Sequence, residues 1–518
     1  MKKKLAAAAG LLLAYLALLC LLIYAESFSP DASITSIPKA IWFSFVTLTT
    51  VGYGDLYPVT MAGKLICGIF LLLSLGALAA LIGLAVNWFT GTGLPRMKIR
   101  SAKDRPMYIF DHEDPAAEAL AENILREDNT AFCVFTGTDQ HFNGKNRVGI
   151  QMATEEVVRL PGAARSTTTV LFTGKDADER YARCELPETV RAVCESAYVP
   201  AEIRDGVRFF DSVELCASMY WHRYPLKKSD TTVLLIGFGN LGRKLLEHAL
   251  ENCIFSPVRV TQYHVFGDSA EFLRDHPGMG MSVSVGALSE KTDSLLLHDE
   301  PWNASPELLE KADRILICSD DEDENAECYR RLNTYFSLTG QVQLFCRSRL
   351  EKDMPTFGTD EEIYTAENVL RAGLETMARE INEIYRKGSG GTASGWEELS
   401  PFARRSNMAS AEHIREKLRY LLEDDTLTCF TKSQMKDAHQ RFLEIQKNGE
   451  DICRRIEHDR WVRFHAMYNW SYAPVRNNAL RKHPLLVPFD DLSEKEQAKD
   501  DYAWEMIGII SDLQKDTL

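Results

Sequence analysis

The sequence predicts a membrane module of two helices with a re-entrant loop between them. Two α/β domains of doubly wound type follow, and a small, mainly α-helical domain ends the chain. Three observations predict this order. Two apolar runs, Leu5 to Ala25 and Met61 to Thr90, fall within the first 95 of 518 residues. Short strand-like runs then alternate with amphipathic helical patterns as far as Lys387. A Gly/Ser tract at 388–395 precedes a helix-patterned remainder.

The first run is uncharged and 21 residues long, enough to cross a bilayer. Lys2, Lys3 and Lys4 precede it, and Arg96, Lys98, Arg100, Lys103 and Arg105 follow the second run. The positive-inside rule then puts both termini in the cytoplasm of a multi-pass protein, with the intervening loop outside. A signal peptide over 1–25 is the rival reading, but cleavage would remove the outer helix. Ser36-Ile37-Pro38 opens a short helix inside the loop, with Pro38 suited to a first turn. Irregular backbone at membrane depth is tolerated only where protein surrounds it.

Residues 47–55 read Thr-Leu-Thr-Thr-Val-Gly-Tyr-Gly-Asp. A potassium selectivity filter replaces the ion's hydration shell with backbone carbonyl oxygens. Aiming successive carbonyls at one axis needs left-handed backbone at alternate positions, which Gly52 and Gly54 supply. Thr50, Val51, Gly52, Tyr53, Gly54 and Asp55 are therefore the candidate filter. The stretch from Ile37 to Thr60 resembles the pore loop of bacterial two-helix potassium channels. That resemblance implies an α-helical pore, K+ as the transported ion, a homotetramer, and the plasma (inner) membrane of a prokaryote. In the streptomycete channels the position five residues before the filter valine is acidic and pairs with the filter aspartate. Here it is Val46, which leaves Trp42 to donate its indole N–H to Asp55. Gly76 and Gly83 in the second run suit either a hinge or close helix contact.

The net charge of −15 argues against a nucleic acid polymer as partner. The 12 cysteines form no C-x-x-C pair, and most read as reduced core or membrane residues. No H-E-x-x-H, G-x-S-x-G or P-loop is present, so nothing in the sequence argues for an enzyme. Strand-type runs occur at Met107 to Phe110, Ala131 to Phe135, Thr168 to Phe172 and Gly206 to Phe210. A helix from Pro115 to Arg126 is expected with Asp114 as its N-cap, and another from Ser212 to Tyr224. The first turn, Asp111-His112-Glu113-Asp114-Pro115, lacks glycine and is acidic, which excludes a diphosphate.

A second α/β unit opens with a strand at Thr232 to Ile236 and Gly237-Phe238-Gly239-Asn240-Leu241-Gly242, a dinucleotide fingerprint in its required context. The helix to Leu250 would offer its N-terminus to a phosphate. Asp268, after a ragged strand at 258–266, is the candidate ribose acceptor. Gly237, Gly239, Asn240, Leu241, Gly242 and Asp268 thus form a candidate site for NAD or another nucleotide, the alternative being a structural glycine turn. Strands at Ile315 to Cys318 and Val342 to Cys346 and a helix from Glu367 to Arg386 complete the unit. The acidic run 319–325 reads as a helix start rather than a calcium loop. Two Rossmann-like units behind a two-helix pore resemble the RCK (TrkA-N) gating module, with boundaries at 106–227 and 228–387. The first copy is degenerate. The resemblance implies a cytoplasmic ring that pulls on the inner helices.

The final domain, 396–518, has a helical pattern at Ala409 to Leu422 and another at Gln434 to Phe464, with a possible break at Asn448-Gly449. His458-Asp459-Arg460-Trp461, Trp470-Ser471-Tyr472 and Lys482-His483-Pro484 together resemble the RyR domain over about residues 440–510. Trp461, Trp470 and Tyr472 are suited to stacking a base, worth about 1–3 kcal/mol each. Arg405, Asn407, His458, Arg460, Lys482 and His483 are the candidate polar contacts to a small nucleotide-type ligand. The competing reading makes the tryptophans core and the cations a solvated face. Together these features predict a ligand-gated, potassium-selective channel. The rivals are a membrane-anchored nucleotide sensor with little conduction, an NAD-linked oxidoreductase using Gly237 to Gly242, for which no catalytic acid–base pair accompanies the fingerprint, and an NAD-linked potassium-transport regulator. No Arg-rich apolar segment supports voltage sensing.

Overall fold

The computed structural model describes residues 15–49, 51–138, 140, 142, 144–163, 167–198, 205–253, 259–338, 340–347, 354–388 and 394–513. Side chains at 73–78, 80, 81, 84, 87, 374, 388, 512 and 513 lie outside that description, as do Lys2 to Lys4, the start of the first apolar run, and Thr50.

Residues 15–26 form helix α1. Helix α2 (Ile37–Leu48) starts where expected, with Ser36 extended at its N-cap and Pro38 in its first turn. Helix α3 (Met61–Trp88) is 28 residues long and is capped by Thr60, whose side chain accepts from the Gly63 amide. Leu19, Leu22, Ile34, Phe43 and Phe70 bind the three helices into one small core. Among the described residues no helix is long and apolar enough to cross a membrane. The undescribed side chains fall in the middle of α3, and residues 1–14 lie outside the described residues. A π-helical segment, Phe89–Gly93, carries α3 into α4 (Leu94–Ser101) without a loop.

The first α/β unit runs β1 (Met107–Phe110), α5 (Pro115–Glu127), β2 (Phe132–Thr136), β3 (Arg147–Ile150), α6 (Thr154–Val157) and β4 (Thr168–Phe172). It continues through α7 (Ala177–Arg183), β5 (Arg191–Glu195), β6 (Val207–Phe210) and α8 (Ser212–Arg223). Its six strands lie in the order β3-β2-β1-β4-β5-β6, all parallel, which is the doubly wound arrangement. Strands β3 and β5 were not anticipated: each is short, begins with an arginine, and carries too few apolar residues to stand out.

The second unit comprises β7 (Thr232–Ile236), α9 (Asn240–Asn252), β8 (Gln262–Phe266), α10 (Ala270–Asp275), β9 (Ser284–Val285), β10 (Ser294–His298) and α11 (Pro306–Lys311). Then come β11 (Arg314–Ile317), α12 (Glu322–Arg331), β12 (Val342–Phe345), β13 (Thr356–Phe357), α13 (Asp360–Ile363) and α14 (Gly373–Gly388). Its sheet order is β13-β12-β11-β7-β8-β10-β9, again parallel throughout. The single helix expected over 367–386 is interrupted. A π-helical stretch, Ala366–Arg371, ends at Ala372 with φ of 48°, and α14 begins anew after it. A left-handed residue cannot continue a right-handed ladder. Helices α8 and α9 pack Cys216, Ala217 and Trp221 against Leu245, Leu246 and Ala249, so both units share one core.

The C-terminal region contains α15 (Pro401–Leu422), α16 (Lys432–Lys447), α17 (Ile452–Met467), the two-residue strands β14 (Ser471–Tyr472) and β15 (Lys482–His483), α18 (Glu494–Gln497) and α19 (Tyr502–Leu513). Helix α15 begins eight residues before Ala409, because Ser400 caps it and Pro401 fits its first turn. The break between α16 and α17 falls at Asn448-Gly449, where Gly449 takes φ of 74°. Trp504, Phe442, Ile414 and Leu418 fill this core together with Met377, Ala378 and Ile381 of α14. Most of the Gly/Ser tract, 389–393, lies outside the described residues.

Candidate functional site

The loop after α2 is built from its backbone outward. Gly52 and Gly54 have φ of 57° and 73°, the alternate left-handed positions that the glycines were expected to supply. The amides of Val51 and Gly52 turn back onto the Val46 carbonyl at 3.1 and 3.3 Å, which fixes where the helix ends and the loop starts. The Trp42 indole N–H donates to Asp55 Oδ2 at 2.9 Å, and its ring lies parallel to that of Tyr53 with centroids 6.1 Å apart. Val46 is buried, so no acid stands beside Asp55 from that position.

Sequence reasoning missed Glu26. This fully buried carboxylate at the end of α1 accepts from the amides of Val59 (2.8 Å) and Thr60 (3.0 Å) and from the Thr60 hydroxyl (2.8 Å). It ties the outer helix to the segment leaving the loop. Its signal in the sequence was slight: the first charge after a long apolar run. Removing the carboxylate leaves the two half-buried amides of Val59 and Thr60 without this partner, at up to about 1–3 kcal/mol each. Glu26→Ala is therefore expected to loosen this segment and speed hydrogen exchange at the Val59 and Thr60 amides. Exchange at the wild-type rate would show that Glu26 is not a brace.

The second candidate site is the glycine turn after β7. Gly237 takes φ of 76° beneath Ser319, and a Cβ there would come within 2.8 Å of the serine side chain. The helix N-terminus beyond it is already occupied. The Asn240 amide donates to both Asp320 oxygens, at 2.9 and 3.1 Å, and a Cβ on Gly239 would lie 2.6 Å from that carboxylate. Asp268 caps its own turn, accepting from the Ala270 amide at 3.0 Å. Leu241 is core, and Gly242 lets α9 approach Cys318. The Asn240 amide that a phosphate would take is thus held by Asp320.

In the C-terminal region the structure gathers the aromatic residues and disperses the cations. The Trp461 ring lies 4.1 Å from that of His465 and 4.9 Å from that of His483, and Trp470 is 5% exposed beside Phe402. The Trp470 indole nitrogen is buried without a partner. Burial pushes the His465 imidazole down to about 3 and the His483 imidazole down to about 4, so both rings are neutral at pH 7. His458 contacts the Val487 carbonyl at 2.8 Å, and Asn407 donates to its own helix at the Ala403 carbonyl. Arg460 is buried against Glu457 (2.6 Å), which also meets Lys417 at 2.8 Å. Lys482 donates to Ser471, while Tyr472 is exposed.

Arg405 instead joins a buried ionic cluster where the C-terminal region meets α8 and α9. It lies 2.8 Å from Glu214 and 2.9 Å from Glu251, and donates to the Tyr468 hydroxyl. His248 stands between Glu214 (2.9 Å) and Glu412 (3.1 Å), and Glu412 also accepts from Ser218 and Asn252. His276 and Gly278 add contacts to the Met467 carbonyl (2.7 Å) and the Asn469 side chain (3.0 Å). The cluster was not legible in the sequence, because its members come from α8, α9, α15 and the end of α17.

Burial alone would lower the His248 pKa, but Glu412 and Glu214 outweigh it and raise it to about 10. The folded value lies above the unfolded one near 6.5, so this stabilisation is complete below pH 6.5 and is lost as pH rises through about 10. The docking is expected to loosen across that window. Hydrogen exchange of α15 amides as a function of pH checks this, and His248→Gln should flatten the dependence.

Comparison with known proteins accords with the two ends of the chain. Residues 11–91 match the family described as Ion channel, and residues 444–513 match the RyR domain. A voltage-gated potassium channel of Aeropyrum pernix is 40% identical over 105 residues, covering 20% of this chain and 36% of that one. The voltage-gated potassium channel regulatory subunit KCNF1 of Rattus norvegicus is 33% identical over 115 residues, covering 21% and 23%. The chain thus spans between a fifth and two fifths of the length of these two relatives. The crystal structure of GsuK bound to ADP is similar at 14% identity and a TM-score of 0.32, covering 72% of this chain and 99% of that one. The N-terminal region is therefore similar to ion channels, potassium channels among them.

Proposed function

We propose that the chain is one subunit of a homotetrameric, ligand-gated, potassium-selective channel in a prokaryotic inner membrane, with both termini cytoplasmic. The observation that carries this reading is the alternation of left-handed Gly52 and Gly54 within Thr-Val-Gly-Tyr-Gly-Asp, inside the segment that matches ion channels. Exposed apolar side chains support burial in lipid and against further copies: Phe45 is 63% exposed, Tyr53 68% and Leu72 77%. The apolar runs Leu5 to Ala25 and Met61 to Thr90 would span the bilayer; at about 1.5 Å per residue α3, within the second, is about 42 Å long, more than the hydrocarbon core.

The cytosolic part would gate through its first α/β unit, which touches the exit of α3. The Gln151 amide donates to the Gly91 carbonyl at 3.0 Å, and Arg96 Nε contacts Met152 Sδ at 3.3 Å. A displacement of β3 therefore reaches the inner helix without an intervening loop. The effector would be a small nucleotide-type molecule, received by the C-terminal aromatic cluster. A ligand shifts such an equilibrium only by its difference in affinity between open and closed states. Potassium flux from liposomes holding the purified protein tests the reading; absence of selective flux under any effector would sink it.

A further inference from the structure

Both α/β units satisfy the N-terminus of their first helix with a carboxylate of the chain itself. In the first unit Asp114 caps α5 from within the turn, accepting from the Ala117 amide at 2.6 Å. In the second the turn supplies no acid, and one arrives from across the sheet. Asp320 lies on the loop between β11 and α12, 80 positions from the Asn240 amide it binds.

That loop is held in place. The buried Asn325 side chain accepts from the Ser319 amide (2.9 Å) and donates to the Ser319 carbonyl (2.8 Å) and the Phe345 carbonyl (3.1 Å). The Ser319 hydroxyl donates to Glu324, and Asp321 is spent capping α12 through the amides of Asp323 and Glu324. Of the neighbouring acids, Asp320 alone reaches the turn, and its carboxylate fills the space that the missing Cβ of Gly239 leaves open.

We propose that Asp320 is a specificity-determining residue that takes the place of a ligand phosphate and excludes dinucleotides and nucleoside diphosphates from the Gly237–Gly242 turn. The amide and the positive end of the helix can serve one anion at a time. A diphosphate must displace a carboxylate that is tethered and already positioned, and any incomplete displacement sets like charges side by side. The glycines then persist for close packing: a Cβ at Gly237 would strike Ser319, and one at Gly242 would press on Cys318 and Phe238 at 3.0 Å. The proposal stands apart from the conduction reading, since its test measures binding and needs no flux.

Calorimetric titration of the full-length protein in detergent with ADP and with NAD tests it. The wild type is expected to bind either probe at least 10-fold more weakly than Asp320→Ala, with Asp320→Asn showing a smaller gain because its amide oxygen still caps the helix. Adding Gly239→Ala to Asp320→Ala should remove the gain. Thermal unfolding of each variant establishes that the unit is folded. Equal affinity of wild type and Asp320→Ala overturns the proposal, as does no binding to either. Weaker binding by Asp320→Ala also overturns it, since the acid would then be assisting the ligand. A gain that survives Gly239→Ala does the same, because it places the binding elsewhere.

Discussion

Gly54→Ala is expected to abolish potassium flux while the protein still assembles. No heavy atom lies within 4 Å of a Cβ built at Gly54 or Gly52, so the protomer offers no steric objection to a methyl group. The objection lies in the backbone. With φ of 73°, Gly54 sits where an L-residue with a Cβ loses about 1–2 kcal/mol, and the proposed tetramer would multiply that to about 4–8 kcal/mol around one axis. The loop relieves the strain by rotating peptide planes, which turns carbonyl oxygens away from the ion. Gly52→Ala, at φ of 57°, should behave alike. Gly68→Ala is the control: that glycine lies inside α3 with equally open surroundings, and alanine favours a helix. Flux that is lost at position 54, retained at 68, and accompanied by unchanged tetramer size locates the function in the loop. Potassium-selective flux in Gly54→Ala would refute the assignment.

Where local chemistry decides, the sequence was sufficient. Ser36 and Pro38 start α2, Asp114 caps α5, and the runs at 107–110, 168–172 and 232–236 are strands because each is short, apolar and bounded by turn residues. The Trp42 contact to Asp55 was also legible, since the two lie on one helix and the loop that returns to it. Where tertiary context decides, the sequence was mute. Strands β3 and β10 gain their ordering from neighbours in the sheet, and the break at Ala372 has no glycine or proline at that position to announce it. At the sites, the fingerprint Gly237–Gly242 identified a turn and a helix start correctly but said nothing of Asp320, which arrives from a segment far along the chain. Likewise the cations of the C-terminal cluster looked available, whereas Arg405 and Arg460 face buried carboxylates that only the fold brings to them.

Arg405→Ala is expected to release the C-terminal region from the second α/β unit. The substitution leaves Glu214 and Glu251 in the interface without their guanidinium, and Glu251 is 1% exposed. Burial already pushes the Glu251 carboxyl up despite the arginine, and losing Arg405 pushes it further toward the neutral acid. Breaking a buried pair in this way costs about 3–5 kcal/mol, a large share of the stability of a domain contact. Two measurements separate undocking from general unfolding. After protease cleavage within 388–395, the wild-type fragments should stay together on size exclusion and those of Arg405→Ala should part. In a double-mutant cycle, Glu251→Gln should cost much less in the Arg405→Ala background than alone, since the two positions are in direct contact. If a ligand in this region gates the pore, its effect must cross this interface, so Arg405→Ala should also abolish ligand-dependent gating and leave ion selectivity unchanged. Strictly additive costs, or fragments that remain associated, would mean that α14 and the apolar core around Trp504 hold the region in place and that the ionic cluster is a passenger.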